Sequence, residues 1–331
     1  MSLCFRILVF VLLLASGPFG WGQDNYKTVT PKKGEGILKL LRRNEVAVKY
    51  KNAFIELNKG KFGKKESLLA GVKYNIDPSW VKGAREEWRV YPIFGEKYER
   101  LKIANSSLQG SVFYLVAGHG GPDPGAVGNH SLGSLCEDEY AYDVTLRLAR
   151  WLIERNALVY FIVRDKNDGI RDANYLPCDK DEYTYTRGRI PANQVARLQQ
   201  RTDVINNLYK KHKGSKYQRM VSIHIDSRGG ENVDVYFHYF DRSRKGRKLA
   251  RDVYSTFETN YKIYQPNRPY RGSVRPRSSL FVLKNTSPAA VFIELGNIIS
   301  ARDQKRILLS ENRQALAKWI GEGLLKNFKE R

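Results

Sequence analysis

From Gly110 onward the chain alternates short β-rich runs with helical patterns, and this alternation narrows the folds open to it more than any other feature. The β-rich runs cover residues 112–117, 158–163, 220–225, 233–240 and 290–295, each bounded by Gly, Asp or Asn. Helical patterns cover 144–153, 194–209, 246–257 and 301–328. Strands joined through helices predict an α/β fold, a mostly parallel sheet with helices on both faces. Ligands in such folds collect beyond the carboxyl ends of the strands. Residues 168–190 are polar and turn-rich without a clear period, and read as a long inserted loop. Loops of that length are usually functional or disordered, and its length and position predict a cover over the cleft.

The first residues set the compartment. Arg6 is followed by an apolar run over residues 7–15 and then by Ser16, Gly17, Gly20 and Gly22. A bilayer-spanning helix needs ~20 apolar residues, so residues 1–22 read instead as a secretory signal peptide. The protein is therefore expected to be exported to the periplasm or cell envelope, with no stable membrane insertion after cleavage. Lys and Arg number 57 against 34 Asp and Glu, a formal charge of +23 that calls for an anionic partner. Export turns that expectation away from nucleic acid and towards an acidic polymer. Cys4 leaves with the leader, and the remaining Cys136 and Cys178 could pair outside the cytoplasm.

Residues 27–78 form a small basic unit predicted to run strand, helix, helix, strand (βααβ), and ~50 residues can just support their own core. Lys33-Gly34-Glu35-Gly36-Ile37, Phe54-Ile55-Glu56-Leu57-Asn58 and Leu69-Ala70-Gly71-Val72-Lys73-Tyr74 resemble the opening, second-helix and closing motifs of the LysM glycan-binding module. Gly36 stands where that family usually has Thr. The resemblance implies attachment to glycan strands. Residues 79–109 connect this unit to the α/β domain, residues 110–331; with Trp80, Trp88, Tyr91 and Tyr98 they are too aromatic for a free linker.

Five histidines are present. His119 and His224 each follow an apolar strand run, so both are expected over one edge of the sheet, where two neutral imidazoles and a carboxylate would suit Zn²⁺ with one position left for water. His212, in Lys210-Lys211-His212-Lys213, reads as solvated surface, His238 as a packing residue, and His130 as a possible wall of the site. Glu137-Asp138-Glu139 precedes the 144–153 helix, where acids also favour the helix dipole. Glu294 interrupts the apolar run Ala290-Val291-Phe292-Ile293-Glu294-Leu295, an expensive place for a carboxylate without a use.

These residues carry a second, more specific resemblance. Gly118-His119-Gly120-Gly121-Pro122, Val221-Ser222-Ile223-His224 and the block from Leu280 to Gly296 stand in the order of the motifs of zinc-dependent N-acetylmuramoyl-L-alanine amidases, the type 3 cell-wall amidases. Leu198 and Arg201 match that family's helix motif. The resemblance implies one zinc ion held by His119, His224 and an acid, Glu294 as catalytic general base, and peptidoglycan as the partner. Aligning Asp143-Val144 with the family pattern puts Ala141 where the acidic ligand is usual, so the ligand is expected from the preceding acids: Glu139 is favoured, with Glu137 the alternative. Asp226 and Asn297 replace the usual Asn and Phe. The reading from another class is a non-catalytic peptidoglycan-binding scaffold or regulator. A zinc carboxypeptidase would need an H-x-x-E pair, which the sequence lacks. Whether a protein activator is required is not legible in the residues.

Overall fold

The computed structural model describes residues 26–81, 87–186, 188–227 and 233–331. The expected signal peptide lies outside them. Among the described residues no helix is long and apolar enough to cross a membrane.

The N-terminal unit runs β1 (Lys27–Val29), α1 (Ile37–Arg43), α2 (Lys51–Leu57) and β2 (Tyr74–Ile76), with β1 and β2 antiparallel. This is the strand–helix–helix–strand order expected, although the closing strand is short and residues 68–73 are mostly turn and coil. Leu40, Leu41, Phe54, Tyr74 and Ile76 are fully buried in a core of their own. Asn58 bridges the end of α2 to β2, donating to the Asn75 carbonyl at 2.8 Å and accepting the Asn75 N–H at 2.7 Å.

Glu35, a buried acid, ties down the entry to α1. It accepts Arg43 Nε at 2.7 Å and the Lys32 N–H at 2.8 Å. The Arg43 guanidinium, helped by that N–H, holds the Glu35 pKa down at about 2 against the opposing effect of burial. A depressed carboxyl pKa stabilises the fold above the unfolded value near 4.5 and loses that contribution as the pH falls towards 2. Glu35→Gln is therefore expected to weaken this unit by on the order of 1–2 kcal/mol at pH 7, with the difference from wild type vanishing in acid. Hydrogen-exchange protection of residues 26–81 in the full chain checks this; an equal difference at pH 7 and pH 2.5 would contradict it.

The rest of the chain runs β3 (Trp88–Val90), β4 (Arg100–Lys102), β5 (Ser111–Ala117), β6 (Val127–His130), β7 (Gly133–Cys136), α3 (Glu137–Ile153), β8 (Leu158–Phe161), β9 (Val163–Arg164) and β10 (Tyr183–Thr184). It continues through α4 (Gln194–Lys211), β11 (Tyr217–Asp226), β12 (Tyr236–Tyr239), α5 (Arg244–Tyr264), β13 (Ser273–Pro276), α6 (Phe281–Asn285), β14 (Ala289–Asn297), α7 (Ala301–Leu308) and α8 (Ser310–Lys329). Six strands form the main sheet in the order β13-β12-β14-β11-β5-β8. All neighbours are parallel except β12 with β14. Helices cover both faces. Adjacent residues of a strand point to opposite faces: Phe113 meets Tyr217, which meets Phe328 of α8, whereas Tyr114 stacks on Tyr160, which meets His212 at the end of α4. Burial on both faces explains why β5 reads as an unbroken apolar run.

Three local expectations change, whereas the aromatic connector packs on its neighbour as its composition suggests. The helix expected from Val144 begins seven residues earlier, at Glu137, because Tyr140, Ala141, Tyr142 and Asp143 are all buried and leave no polar face to give a period. Asp143 serves packing: its carboxylate takes Arg147 Nε at 2.7 Å and Arg313 Nε at 2.6 Å, joining α3 to α8. The single C-terminal helix is two, α7 and α8, broken at Leu309. His212 is half-buried, not solvated, with Nε2 at 2.5 Å from the Tyr160 hydroxyl. Residues 88–108 fold onto the α/β unit, with Phe94, Leu101, Ile103 and Leu108 inside its core.

Candidate metal centre

The sheet order makes the gap between β5 and β11 special. The chain leaves β5 through α3 to reach β8 on one side, then crosses back through α4 to β11 on the other. A crevice at the carboxyl ends of two such strands is where open α/β sheets bind ligands. Ile223 pairs with Ala117, and His224 pairs with Glu294 on β14. Register alone therefore brings His119, His224 and Glu294 to one edge.

His119 lies two residues beyond β5 in the left-handed region, with φ 59°. A non-glycine residue held there costs of order 1–3 kcal/mol and is usually found where function demands it. Arg201 Nη2 donates to the His119 carbonyl, and the Gly118 N–H bonds the Ile223 carbonyl at 2.8 Å, so both sides of the turn are fixed. His119 Nδ1 lies 2.9 Å from Asp123 Oδ2, which also accepts Arg197 Nη2. That leaves Nε2 facing the crevice, 3.2 Å from Glu137 Oε2. A carboxylate behind the imidazole is the usual way to orient a metal-binding histidine.

Glu137 sits at the first residue of α3 and faces both imidazoles. Its Oε1 lies 2.9 Å from His224 Nδ1 and accepts the Ile225 N–H at 3.0 Å, while Oε2 accepts the Ala126 N–H at 2.9 Å. The His224 ring stacks on Phe292, 4.0 Å between centroids. One potential ligand atom each from His119, Glu137 and His224 lie within 4.8 Å of one another. Two glycines make the room. A Cβ on Gly118 would meet the His224 ring at 2.4 Å, and one on Gly125 would meet Glu137 Oε2 and His119 Cδ2 at 2.7 Å.

The electrostatics suit a cation. Burial opposes ionisation of Glu137, yet the His119 and His224 hydrogen bonds hold its carboxyl well below the usual range. Burial also lowers His224, whereas in His119 the bonds to Asp123 and Glu137 override it and push the pKa up to about 10. The group thus holds positive charge between its carboxylates, the place a divalent ion would take. Two imidazoles and one carboxylate, with a fourth side open to the cavity, form a donor set that fits zinc.

Glu139, the residue favoured for the third place, is not in this group. Residues two apart on a helix point to nearly opposite sides, at about 100° per residue. Glu139 Oε2 takes Arg171 Nη1 at 2.8 Å and Oε1 takes the Asp179 N–H at 2.9 Å. Glu294 is only 8% exposed and lines the same cavity of about 540 Å³ as His119, Glu137 and His224. Asp226, Arg197, Arg201 and Arg277 line it too. His130 does not, and His238 packs between Tyr236 and Phe292. Among the described residues of 168–190 none lines the cavity, contrary to the cover expected from the sequence. That loop packs instead on the start of α3, where Cys178 forms a disulfide with Cys136.

The chain is similar to known proteins in sequence and fold. The germination-specific N-acetylmuramoyl-L-alanine amidase of Bacillus subtilis (strain 168) is 24% identical over 225 residues, 68% of this chain and 82% of that protein. The CwlD amidase of Clostridioides difficile, solved in complex with the GerS lipoprotein, superposes with a TM-score of 0.50 at 21% identity, over 67% of this chain and 100% of that one. The amidase AmiC2 of Nostoc punctiforme gives 0.48 at 22%, over 68% and 99%. The profile of one family matches residues 114–326, from the first core strand to the last helix. The chain belongs to that family, the N-acetylmuramoyl-L-alanine amidases, and is a hydrolase of peptidoglycan.

Proposed function

We propose that the protein is an exported, zinc-dependent enzyme that hydrolyses the amide between N-acetylmuramic acid and the L-alanine of the stem peptide. His119, Glu137 and His224 would hold the one ion, and Glu294 would act as general base. The observation that carries this reading is the convergence of two imidazoles and a carboxylate on the wall of a cavity that Glu294 shares. Zinc in such a site supplies a Lewis acid for the scissile carbonyl and brings the pKa of a water to ~7.

The protein's own groups do the rest. Asp123 fixes the His119 ring, and the Ile225 and Ala126 N–H groups fix both Glu137 oxygens. The Glu294 carboxylate takes the proton of the attacking water and returns it to the leaving nitrogen, which departs as the free amine of L-alanine. Its position beside His224 on the neighbouring strand supports that role. Phe292, stacked on His224, keeps water from one side of the ring. Arg277 at the cavity adds positive charge where stem-peptide carboxylates would lie.

Residues 27–78 would act as a LysM-like glycan-binding unit, joined through residues 79–109 to a catalytic domain over 110–331, with residues 1–22 removed on export to the periplasm or cell envelope. Holding the enzyme on the polymer raises the effective concentration of cleavable bonds. The strand–helix–helix–strand order supports this, as do the exposed cations Lys33, Arg42, Lys59 and Lys65. The place of Glu137 beside both imidazoles supports the enzyme reading over the scaffold reading.

The test is digestion of purified peptidoglycan. The expected products are free stem peptides with an L-alanine amino terminus and no new reducing sugar ends. New reducing ends, or new amines at another position of the stem, would overturn the proposed bond. Binding to the polymer without any cleavage by zinc-loaded protein would favour the scaffold.

A further inference from the structure

The carboxylates left outside the metal centre gather on the far side of the start of α3. Asp138, Glu139 and Glu182 are 1%, 2% and 6% exposed, and one oxygen from each lies within 4.8 Å of the others. A +23 chain has no shortage of cations, yet among the described residues only the Arg171 guanidinium bonds this group, through Glu139. Asp138 Oδ1 accepts the Glu139 N–H at 3.0 Å, and Glu182 Oε2 accepts the Gly121 N–H at 2.6 Å. Asp138 Oδ2, buried with them, has no hydrogen-bond partner among the described residues. A buried carboxylate oxygen left without a partner is destabilising, and two further acids beside it add to that cost. A cation removes it.

We propose that Asp138, Glu139 and Glu182 form a binding site for a second metal ion, a hard divalent cation of the calcium class, separate from the zinc centre. The donors are all oxygen, with no His or Cys among them, which selects calcium-like ions over zinc. Glu139 faces nearly opposite to Glu137 on the helix, so the two sites share a helix end and no ligand.

The architecture gives such an ion a structural task. Residues 165–182 are almost entirely irregular, and of their apolar side chains only Ile170 and Leu176 are buried. So little apolar burial does not order a loop of that length. The loop is tied instead by the Cys136–Cys178 disulfide, by Arg171 between Glu139 and Asp168, and by Arg313 on the Arg171 and Ala173 carbonyls. An ion on Asp138, Glu139 and Glu182 would join the end of this loop to the start of α3. Through the Gly121 N–H it would also brace the turn that carries His119. A further trio, Asp165, Asp168 and Asp179, lies on the same loop and keeps the region acidic.

The experiment uses the full chain loaded with zinc. After equilibration with calcium, elemental analysis should find about one calcium per chain beside the zinc. Melting should shift upward by several degrees at calcium a hundredfold above its Kd, as binding to the folded state alone requires. Glu182→Gln, alone and with Asp138→Asn, should abolish both effects while the zinc content stays at one. No bound calcium and no shift up to about 10 mM, beyond the weak end of extracellular calcium sites, would overturn the proposal, as would an equal shift in Glu182→Gln. If the variants do not fold, calcium stoichiometry of the wild type decides. Zinc is counted in every sample, so failure here is distinguishable from failure of the catalytic reading.

Discussion

Glu137→Gln should cost the protein its zinc, and Glu139→Gln should not. The two residues stand two apart in the same acidic triplet, so composition and local charge barely separate them. Geometry separates them completely. Glu137 places one oxygen 2.9 Å from His224 Nδ1 and the other 3.2 Å from His119 Nε2. The amide of Gln keeps the volume but loses the charge and turns one acceptor into a donor facing an imidazole. Loss of an outer partner of a metal ligand typically costs 10–100-fold in affinity, and loss of a ligand itself should exceed that. Zinc per chain after dialysis against a weak chelator is expected to fall from about one to near zero in Glu137→Gln, with amidase activity falling in proportion. Glu139→Gln should retain zinc. The reverse pattern would show that the helix start is turned relative to this structure.

The contrast also marks where the residues alone stop being informative. The sheet was legible because strands buried on both faces write themselves as apolar runs, and β5, β11 and β14 lie where those runs are. His119 and His224 were legible as neighbours because each ends such a run, and parallel register brings the ends of β5 and β11 together. The start of α3 was not legible, for the opposite reason. Every residue from Glu137 to Ala149 is buried, acids included, so the helical period vanishes there and the register of the acidic ligand with it. Asp143 misled the alignment because it is an equally buried acid with a different employment, bonding Arg147 and Arg313. Both contacts that reveal this, with Arg313 and with the insertion backbone at Arg171, come from far along the chain. No local pattern holds that information. The reversed direction of β12 was not legible either, since the direction of a short strand depends on the route the chain takes into it.

The second large effect separates chemistry from metal binding. Glu294→Gln should leave zinc at one per chain and lower kcat by roughly 10²–10⁴-fold, the usual worth of a positioned general base. Glu294 pairs with His224 across β14 and β11 and lines the cavity, yet it is not among the three side chains that converge on the ion position. The substitution keeps shape and burial in an apolar strand, so neither folding nor KM should change by more than a few-fold. The pH profile gives the sharper readout. A base must be ionised to accept a proton, so kcat/KM of the wild type should fall towards acid and form an acid limb. In Glu294→Gln that limb should flatten, because the residual rate no longer waits on that carboxylate. Should Glu294→Gln keep its zinc and more than about a tenth of wild-type kcat, a loss below the smallest expected of a general base, the proton would have to be moved by another group. Asp226, on the wall of the same cavity, would be the next residue to replace.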